Sequence, residues 1–118
     1  MAVRRVVPNL FERDPQATRE FYGGVFGFEV VMDMGWIATL ASPAQRFAQV
    51  SVFDRDAEQG RDPFMSIEVD DVDAVHALAA SLGHEIVYDL RDEEWGVRRF
   101  MLRDPSGRVV NVLEHRVA

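Results

Sequence analysis

The residues most able to do chemistry in this chain are polar side chains that interrupt apolar, strand-like runs. Gln49 and Ser51 stand in one such run, Glu68 in a second, and Arg98 and Asn111 in two later ones. Amide, hydroxyl, carboxylate and guanidinium groups that converge over an apolar floor are typical of a small-molecule pocket, because the apolar groups bury the ligand and the polar groups orient it. We therefore predict a ligand-binding face that carries these five side chains.

Large apolar side chains supply the floor of this predicted face. In the run 47–53, strand alternation sends the small and branched residues beneath a helix and leaves Phe47 on the opposite face. Pairing across the turn that precedes this run, without a bulge, puts Leu40 opposite Phe47. Pairing across the later turn at 104–107 similarly puts Phe100 beside Asn111. The alternative is that these aromatic residues are ordinary core or a dimer interface. The apolar members of the predicted face are Trp36, Leu40, Phe47, Phe64, Trp95 and Phe100.

Trp95 and Arg98 lie close together in the sequence, and each allows two interpretations. The Trp95 ring could stack on an aromatic or cationic ligand, although a tryptophan is more often half-buried packing. Arg98 could hydrogen-bond an anionic ligand group, or form a salt bridge with Glu93 or Glu94. The charged run 91–94 is likewise either a solvated loop or a lid over the cleft.

The three histidines do not form a metal site. His76 falls in the middle of a helix, and His84 opens a strand at the far end of its half of the chain. His115 shares the strand parity of Asn111, and with Glu68 it makes the one conceivable metal pair. Because two ligands seldom hold a divalent ion, we predict that the protein binds no metal ion and no cofactor. We assign no catalytic residue.

Composition limits the class of protein. The 118 residues are 47% hydrophobic, which is enough for one compact domain. The chain has no cysteine, so disulfides, thiolate metal ligands and cysteine nucleophiles are excluded. A formal net charge of -7 disfavours nucleic acid and anionic membranes as partners and favours a cationic ligand. No apolar stretch approaches the ~20 residues that cross a bilayer, and we expect a cytoplasmic protein.

Two helices are indicated by their capping residues. Asp14 followed by proline predicts the start of a helix that ends at Gly27. Asp70 or Asp71 predicts the start of a second helix, which runs to Leu82 and stops at a glycine. Each helix has a single apolar stripe, so it must cover one face of a sheet.

The strand-like runs repeat around these helices. A Gly-aromatic-Glu-aliphatic junction follows each helix, at 27–30 and at 83–86, which indicates an internal duplication. We predict an α+β fold in one domain, with two βαβββ modules (1–54 and 62–118) whose mixed, curved sheets form a cleft, and with a charged linker at 54–62. The predicted strands are 3–11, 28–32, 36–41, 47–53, 64–69, 84–90, 97–103 and 109–115.

Several blocks of sequence occur in an order typical of a known family, and they cover nearly the whole chain. Together they resemble the vicinal oxygen chelate superfamily, the glyoxalase/bleomycin resistance protein/dioxygenase family. The last block resembles the bleomycin-resistance branch, in which a Trp-Gly-x-Arg segment precedes an Asp-Pro-x-Gly hairpin. The pattern is more specific for the fold than for an activity. The blocks are Asp14-Pro15, Phe21-Tyr22, Phe26-Gly27-Phe28-Glu29, Ile67-Glu68-Val69-Asp70-Asp71-Val72-Asp73, Trp95-Gly96-Val97-Arg98 and Arg103-Asp104-Pro105-Ser106-Gly107.

The resemblance also implies where a metal would bind. Metal-using members take ligands from the first strand and the last strand of each module. The corresponding positions here are Val7, Phe64 and Asn111, and the fourth lies around Gln49 and Ser51, where no carboxylate is present. None of these residues is a good ligand for a divalent metal ion.

The resemblance therefore implies a metal-independent protein that binds a hydrophobic or aromatic small molecule, such as an antibiotic, and that forms a homodimer. One alternative is a lyase, isomerase, dioxygenase or thiol transferase of the same superfamily that uses non-standard metal ligands, or that uses Glu68 as a metal-free base. Another is an interaction module whose cleft is filled by its own side chains.

Overall fold

A computed structural model of the protein describes residues 2–54 and 62–116. Most of the predicted linker, at 55–61, lies outside the described residues. The order β-α-β-β-β occurs twice, so the predicted α+β fold is confirmed. The elements are β1 (Val3–Phe11), α1 (Pro15–Phe26), β2 (Glu29–Asp33), β3 (Ile37–Ala41), β4 (Gln49–Phe53), β5 (Met65–Val69), α2 (Val72–Ser81), β6 (Ile86–Asp92), β7 (Val97–Arg103) and β8 (Val109–His115).

The described residues divide into two compact units. The amino-terminal unit contains residues 7–54 and 62, and the carboxy-terminal unit contains residues 2–6 and 63–116. Strands in the amino-terminal unit follow the order β2-β3-β4-β1, and those in the carboxy-terminal unit the order β1-β5-β8-β7-β6. Strands β1 and β4 are parallel, as are β5 and β8, whereas β3 pairs antiparallel with β4 and β7 with β8. Each sheet is therefore mixed, as predicted.

Both helices begin at aspartates that the sequence identifies. The Asp14 and Asp71 carboxylates each accept the backbone N–H three residues on, at 3.1 Å, and so satisfy one of the free donors of the first turn. Helix α1 ends at Gly27, whose φ of 74° places it in the left-handed region that glycine adopts without a Cβ clash. Within the described residues, no helix is long and apolar enough to cross a membrane.

Each helix covers one face of the sheet in its own unit. In the carboxy-terminal unit, residues of α2 pack with Val69, Phe100 and Val112. In the amino-terminal unit, Tyr22 of α1 packs against a core that includes Leu40. The opposite face of each sheet is therefore the one available for polar side chains.

Strands β3 and β4 pair in a different register from the one predicted. Leu40 pairs with Val50 rather than with Phe47. The turn is longer than the sequence suggested, because the Ser42 N–H donates to the Ala48 carbonyl at 3.0 Å and β4 begins only after it. An odd shift of register moves every side chain to the other face. The placement of Leu40 on the ligand face was wrong: it is 1% exposed on the α1 side. Phe47 lies in the turn and is 70% exposed.

Strands β7 and β8 are shifted by one residue from the predicted pairing. Phe100 pairs with Val112 rather than with Asn111. The hairpin turn is longer than predicted, because the Asp104 N–H donates to the Arg108 carbonyl at 2.8 Å. All side chains of β7 therefore lie on the opposite face from the one predicted.

This shift corrects two members of the predicted ligand face. Phe100 is fully buried in the core beneath α2. The Arg98 side chain also lies on the α2 side, where its Nε donates to Asp73 of that helix at 3.0 Å. In their place, Arg99 and Met101 pair with Leu113 and Asn111 and share the face that points away from α2.

Candidate functional site

A cavity of about 170 Å³ lies at the carboxyl ends of β5 and β8 in the carboxy-terminal unit. Its walls are mostly charged, with three carboxylates, one guanidinium group and one imidazole. Of the residues predicted for the ligand face, Glu68 is the one that lines it. The lining residues are Arg4, Glu68, Val69, Asp70, Glu114 and His115.

Glu68 is held between two basic side chains at the wall of this cavity. The Arg5 Nε lies 2.9 Å from one carboxylate oxygen, and the His115 Nδ1 lies 2.9 Å from the other. Glu68 and His115, named above as the one conceivable metal pair, therefore form a hydrogen bond with each other. Each carboxylate oxygen has a basic group beside it and the side chain is only 18% exposed, which restricts the position of the carboxylate. Sequence reasoning missed Arg5, although it alternates with Val7 on β1.

The other two carboxylates of the cavity are hydrogen-bonded to backbone N–H groups. Asp70 accepts the Ala2 N–H at 2.7 Å, and this bond lowers the pKa of the Asp70 carboxyl. Glu114 accepts the Val72 N–H at 2.9 Å, at the start of α2. These contacts keep the two carboxylates, and their negative charge, at the cavity.

Asn111 lies on the same side of the sheet as Glu68, next to Ser66. Its Nδ2 donates to the Ser66 Oγ at 3.1 Å. Its Oδ1 is buried and has no hydrogen-bond partner among residues 2–54 and 62–116. A buried acceptor without a donor costs about 1–3 kcal/mol, and Asn111 is not among the residues that line the cavity.

A buried ion pair occupies the same face nearer to β6. The Arg99 Nε donates to a Glu93 carboxylate oxygen at 2.6 Å, and the Tyr88 hydroxyl donates to the same oxygen at 2.7 Å. The guanidinium carbon lies 5.0 Å from the centroid of the Tyr88 ring and 5.2 Å from that of Trp95. Burial raises the pKa of Tyr88, and the bond to Glu93 raises it further. Trp95 thus stacks on a cation of the protein itself.

The remaining predicted residues make local contacts. The Ser51 Oγ lies 3.0 Å from the Thr39 Oγ1 in the amino-terminal unit, and Gln49 donates to the Arg46 carbonyl at 2.7 Å. The Trp36 ring packs against Phe53, with centroids 5.7 Å apart. In the carboxy-terminal unit, the Arg108 guanidinium lies 5.3 Å from the centroid of the Phe64 ring.

A second cavity, of about 350 Å³, lies beside α1 in the amino-terminal unit, and Leu10, Phe21 and Tyr22 are among its lining residues. Neither cavity is lined by Trp36 or Trp95. The two tryptophans therefore do not form the walls of these two cavities, and their part in ligand burial stays a prediction.

One group of carboxylates lies close enough together to suggest a metal site. Oxygens of Asp71, Asp73 and Glu114 lie within 4.8 Å of one another. However, Asp73 accepts hydrogen bonds from Arg116 at 2.6 Å and from Arg98 at 3.0 Å, and these bonds lower the pKa of its carboxyl. The charge of the group is therefore balanced by the protein's own guanidinium groups.

The positions that the family resemblance assigns to metal ligands do not fit a divalent ion. Val7 is an apolar side chain buried in β1. Phe64 is aromatic, and the Asn111 amide is already bound to Ser66 through its nitrogen. Three such positions without an imidazole or a carboxylate leave no donor set that a divalent metal would prefer.

Comparison with known proteins agrees with the fold. The sequence profile of the Glyoxalase/Bleomycin resistance protein/Dioxygenase superfamily matches residues 4–112. No curated protein sequence matches the chain. A Legionella pneumophila structure described as an NAD-dependent benzaldehyde dehydrogenase is similar, with a TM-score of 0.75 at 14% identity, covering 94% of this chain and 99% of that one.

Two further structures have the same fold. A glyoxalase/bleomycin resistance protein/dioxygenase superfamily member from Vibrio splendidus 12B01 has a TM-score of 0.69 at 19% identity, covering 96% of this chain and 99% of that one. Methylmalonyl-CoA epimerase from Mycobacterium tuberculosis has a TM-score of 0.67 at 19% identity, covering 98% and 88%. At such identities the likeness concerns the fold alone, and the bleomycin-resistance branch stays a prediction.

Proposed function

The chain belongs to the glyoxalase/bleomycin resistance protein/dioxygenase superfamily, and we propose that it binds a small organic molecule, without a metal ion, at the cavity formed by the ends of β5 and β8. The observation that carries this proposal is the Glu68 carboxylate, fixed between Arg5 and His115 at the cavity wall. A charged group whose position is set before the ligand arrives loses little freedom on binding, which favours affinity.

The charges of the cavity indicate the ligand class. Three carboxylates face one arginine and one histidine there, and the whole chain carries a formal net charge of -7. Such a site favours a ligand that is cationic or rich in hydrogen-bond donors.

The size of the cavity limits how much of the ligand it holds. Its volume of about 170 Å³ is below the roughly 300–1,000 Å³ of pockets that enclose drug-sized molecules. The cavity therefore suits a small polar molecule, or the polar end of a larger aromatic compound such as an antibiotic.

Homodimer formation is part of the proposal, as is a cytoplasmic location. Large apolar side chains of α1 and β2 are 45–63% exposed in the amino-terminal unit, among them Phe21, Val25, Phe26 and Val31. Apolar groups in such number favour association between copies. Sedimentation measurements that give the mass of one chain would contradict the dimer. The lack of cysteine fits the reducing cytoplasm.

The test is a titration of chelator-treated protein with a panel of cationic, aromatic and glycopeptide compounds, followed by calorimetry and by tryptophan fluorescence. We expect saturable binding that does not change when divalent ions are restored. Glu68→Gln should weaken this binding about tenfold, because a hydrogen bond to a charged group contributes about 1.5–3 kcal/mol. Binding that needs a divalent ion would instead favour a metal-dependent enzyme of the superfamily.

The matched control is Glu85→Gln. Glu85 also carries an arginine partner, Arg103, at 3.2 Å, but it lies by the start of β8, whereas the cavity lies at that strand's end. We expect this variant to bind as the wild type does. Equal affinity of the Glu68 variant and the wild type would refute the assignment of the site.

A further inference from the structure

The contact between Glu68 and His115 is that of an imidazole oriented by a carboxylate. The His115 Nδ1 lies 2.9 Å from the Glu68 Oε2, and Arg5 occupies the Oε1 of the same carboxylate at 2.9 Å. An ionised carboxylate only accepts hydrogen bonds, so Nδ1 carries the hydrogen of this bond. In the neutral ring, the nitrogen with the free electron pair is then Nε2.

The orientation leaves Nε2 available at the cavity. The His115 side chain is 52% exposed and is one of the cavity's lining residues. Among residues 2–54 and 62–116, the single hydrogen bond of the ring is the one to Glu68. A half-exposed imidazole with one nitrogen fixed and the other open to a cavity has the arrangement required of a proton acceptor.

We propose that His115 accepts a proton from a weakly acidic O–H or C–H group of the ligand in this cavity, and that Glu68 is its positioning residue. The proposal rests on the proposed function, since it concerns a ligand at the same site. It adds that the site transfers a proton as well as binding.

The proton transfer balances without an added reagent. The O–H or C–H bond breaks, its electron pair stays on the ligand, and the proton passes to Nε2. Glu68 stabilises the resulting imidazolium through the Nδ1–H bond, and Arg4, which also lines the cavity, supplies positive charge for the ligand anion. Return of the proton to a neighbouring ligand atom completes an isomerisation, whereas its return to the same atom restores the starting ligand.

The first test measures the reactivity of the His115 imidazole in the protein without any ligand. Diethyl pyrocarbonate acylates the free nitrogen of a neutral imidazole, and peptide mass mapping separates the chain's three histidines. We compare rates on the alkaline plateau, where the ring is neutral in both proteins, and expect His115 to react there about threefold faster in the wild type than in Glu68→Ala, the size of effect that a charge-assisted hydrogen bond has at a half-exposed site. The exposed His84 is the internal reference and should react equally in both proteins.

A purely structural contact gives the opposite result. If the bond only joins β5 to β8, its removal frees the ring, and His115 would react as fast or faster in Glu68→Ala. That outcome would overturn the proposal. In Glu68→Gln, which keeps an acceptor but not the charge, the reaction rate should fall between those of the other two proteins.

The second test follows the proton itself. We use 4-nitrophenol, a small aromatic acid whose phenolate has its own visible absorbance. At a pH where it is mostly protonated, wild-type protein and Glu85→Gln should raise the phenolate fraction, and His115→Gln should not. An unchanged spectrum with the wild type, or the same rise with His115→Gln, would overturn the proposal.

The two tests separate this inference from the proposed function. Fast acylation of His115 without binding of 4-nitrophenol or of any compound in the panel would contradict the binding function and leave the orientation of His115 by Glu68 intact. Metal-independent binding at Glu68 without faster acylation would contradict the role of His115 alone.

Discussion

Replacing Arg99 with methionine should destabilise the protein by about 3 kcal/mol, a value near the lower end of the range for breaking a buried ion pair. The Arg99 and Glu93 side chains are only 4% and 1% exposed. Methionine keeps most of the apolar volume of arginine but leaves the Glu93 carboxylate buried without its main cation. We expect this uncompensated charge, rather than a loss of packing, to dominate the change in the free energy of unfolding.

Two features of the structure change this value in opposite directions. Glu93 keeps the hydrogen bond from Tyr88 at 2.7 Å and the contact with Arg91 at 3.2 Å when Arg99 is replaced. In the opposite direction, the substitution removes the cation–π contacts of the Arg99 guanidinium with Tyr88 and Trp95. Each lost contact increases the destabilisation by about 0.5–1 kcal/mol. The two corrections are of similar size.

The assay is urea unfolding of a double-mutant cycle, followed by tryptophan fluorescence and circular dichroism. Glu93→Gln combined with Arg99→Met should cost about 2 kcal/mol less than the sum of the two single changes, because the double variant leaves no buried charge unpaired. The control cycle uses Glu85→Gln and Arg103→Met, because the native Glu85 and Arg103 side chains are 66% and 43% exposed. The coupling free energy between these two substitutions should be smaller than ~1 kcal/mol. Additive effects in the buried cycle would refute the reasoning.

Two further predictions test the corrected register and the charge network. Phe100→Ala should lower the free energy of unfolding, measured in thermal or urea unfolding, by about 3–5 kcal/mol, since the ring is fully buried. Phe47→Ala should change it by less than ~0.5 kcal/mol. Similar values for the two variants would contradict the pairing of β7 with β8. The pKa of Asp73 is lowered by Arg116 and Arg98, so its contribution is present above the unfolded value of about 3.9 and is lost as the pH falls through the folded value. The advantage of wild type over Asp73→Asn should therefore shrink on acidification below about pH 4, and a constant difference in the free energy of unfolding down to the lowest pH measured would contradict this.

Family membership and function follow from different observations in this protein. The fold is carried by capping, turn and apolar positions along the chain, and superfamily members with different functions share it. The proposed function depends on a few side chains at the ends of two parallel strands. The experiments on Glu68 and His115 therefore bear on function without testing the fold.

The elements could be predicted from the sequence because their signals are local. Asp14, Asp71 and Gly27 act on backbone groups within one turn of themselves, so their identity is enough to place the helix ends. Strands β7 and β8 have the predicted bounds. Ile67 and Val69 both pack beneath α2, as strand alternation within β5 requires without any knowledge of its partner strand.

The candidate site was predictable only in part. Parity within β5 and β8 correctly placed Glu68 and His115 on one face, but the hydrogen bond between them was not predicted. Arg98, Phe100 and Leu40 were placed on the wrong face because each depended on counting residues through a turn. Arg99 was missed for the same reason, and Arg5 because its partner lies on a strand more than sixty residues away in the sequence.

The sequence by itself determined the order of the elements, their caps and the superfamily, since each rests on contacts between near neighbours or on motifs in fixed order. The tertiary structure alone decided the register of the strand pairs, and with it which charged side chains are buried as pairs and which reach the cavity. The physical reason is the two-residue period of a strand: one additional residue in a turn exchanges the two faces of the sheet, and the length of a turn is set by hydrogen bonds, such as that from Asp104 to Arg108, that form only in the folded chain.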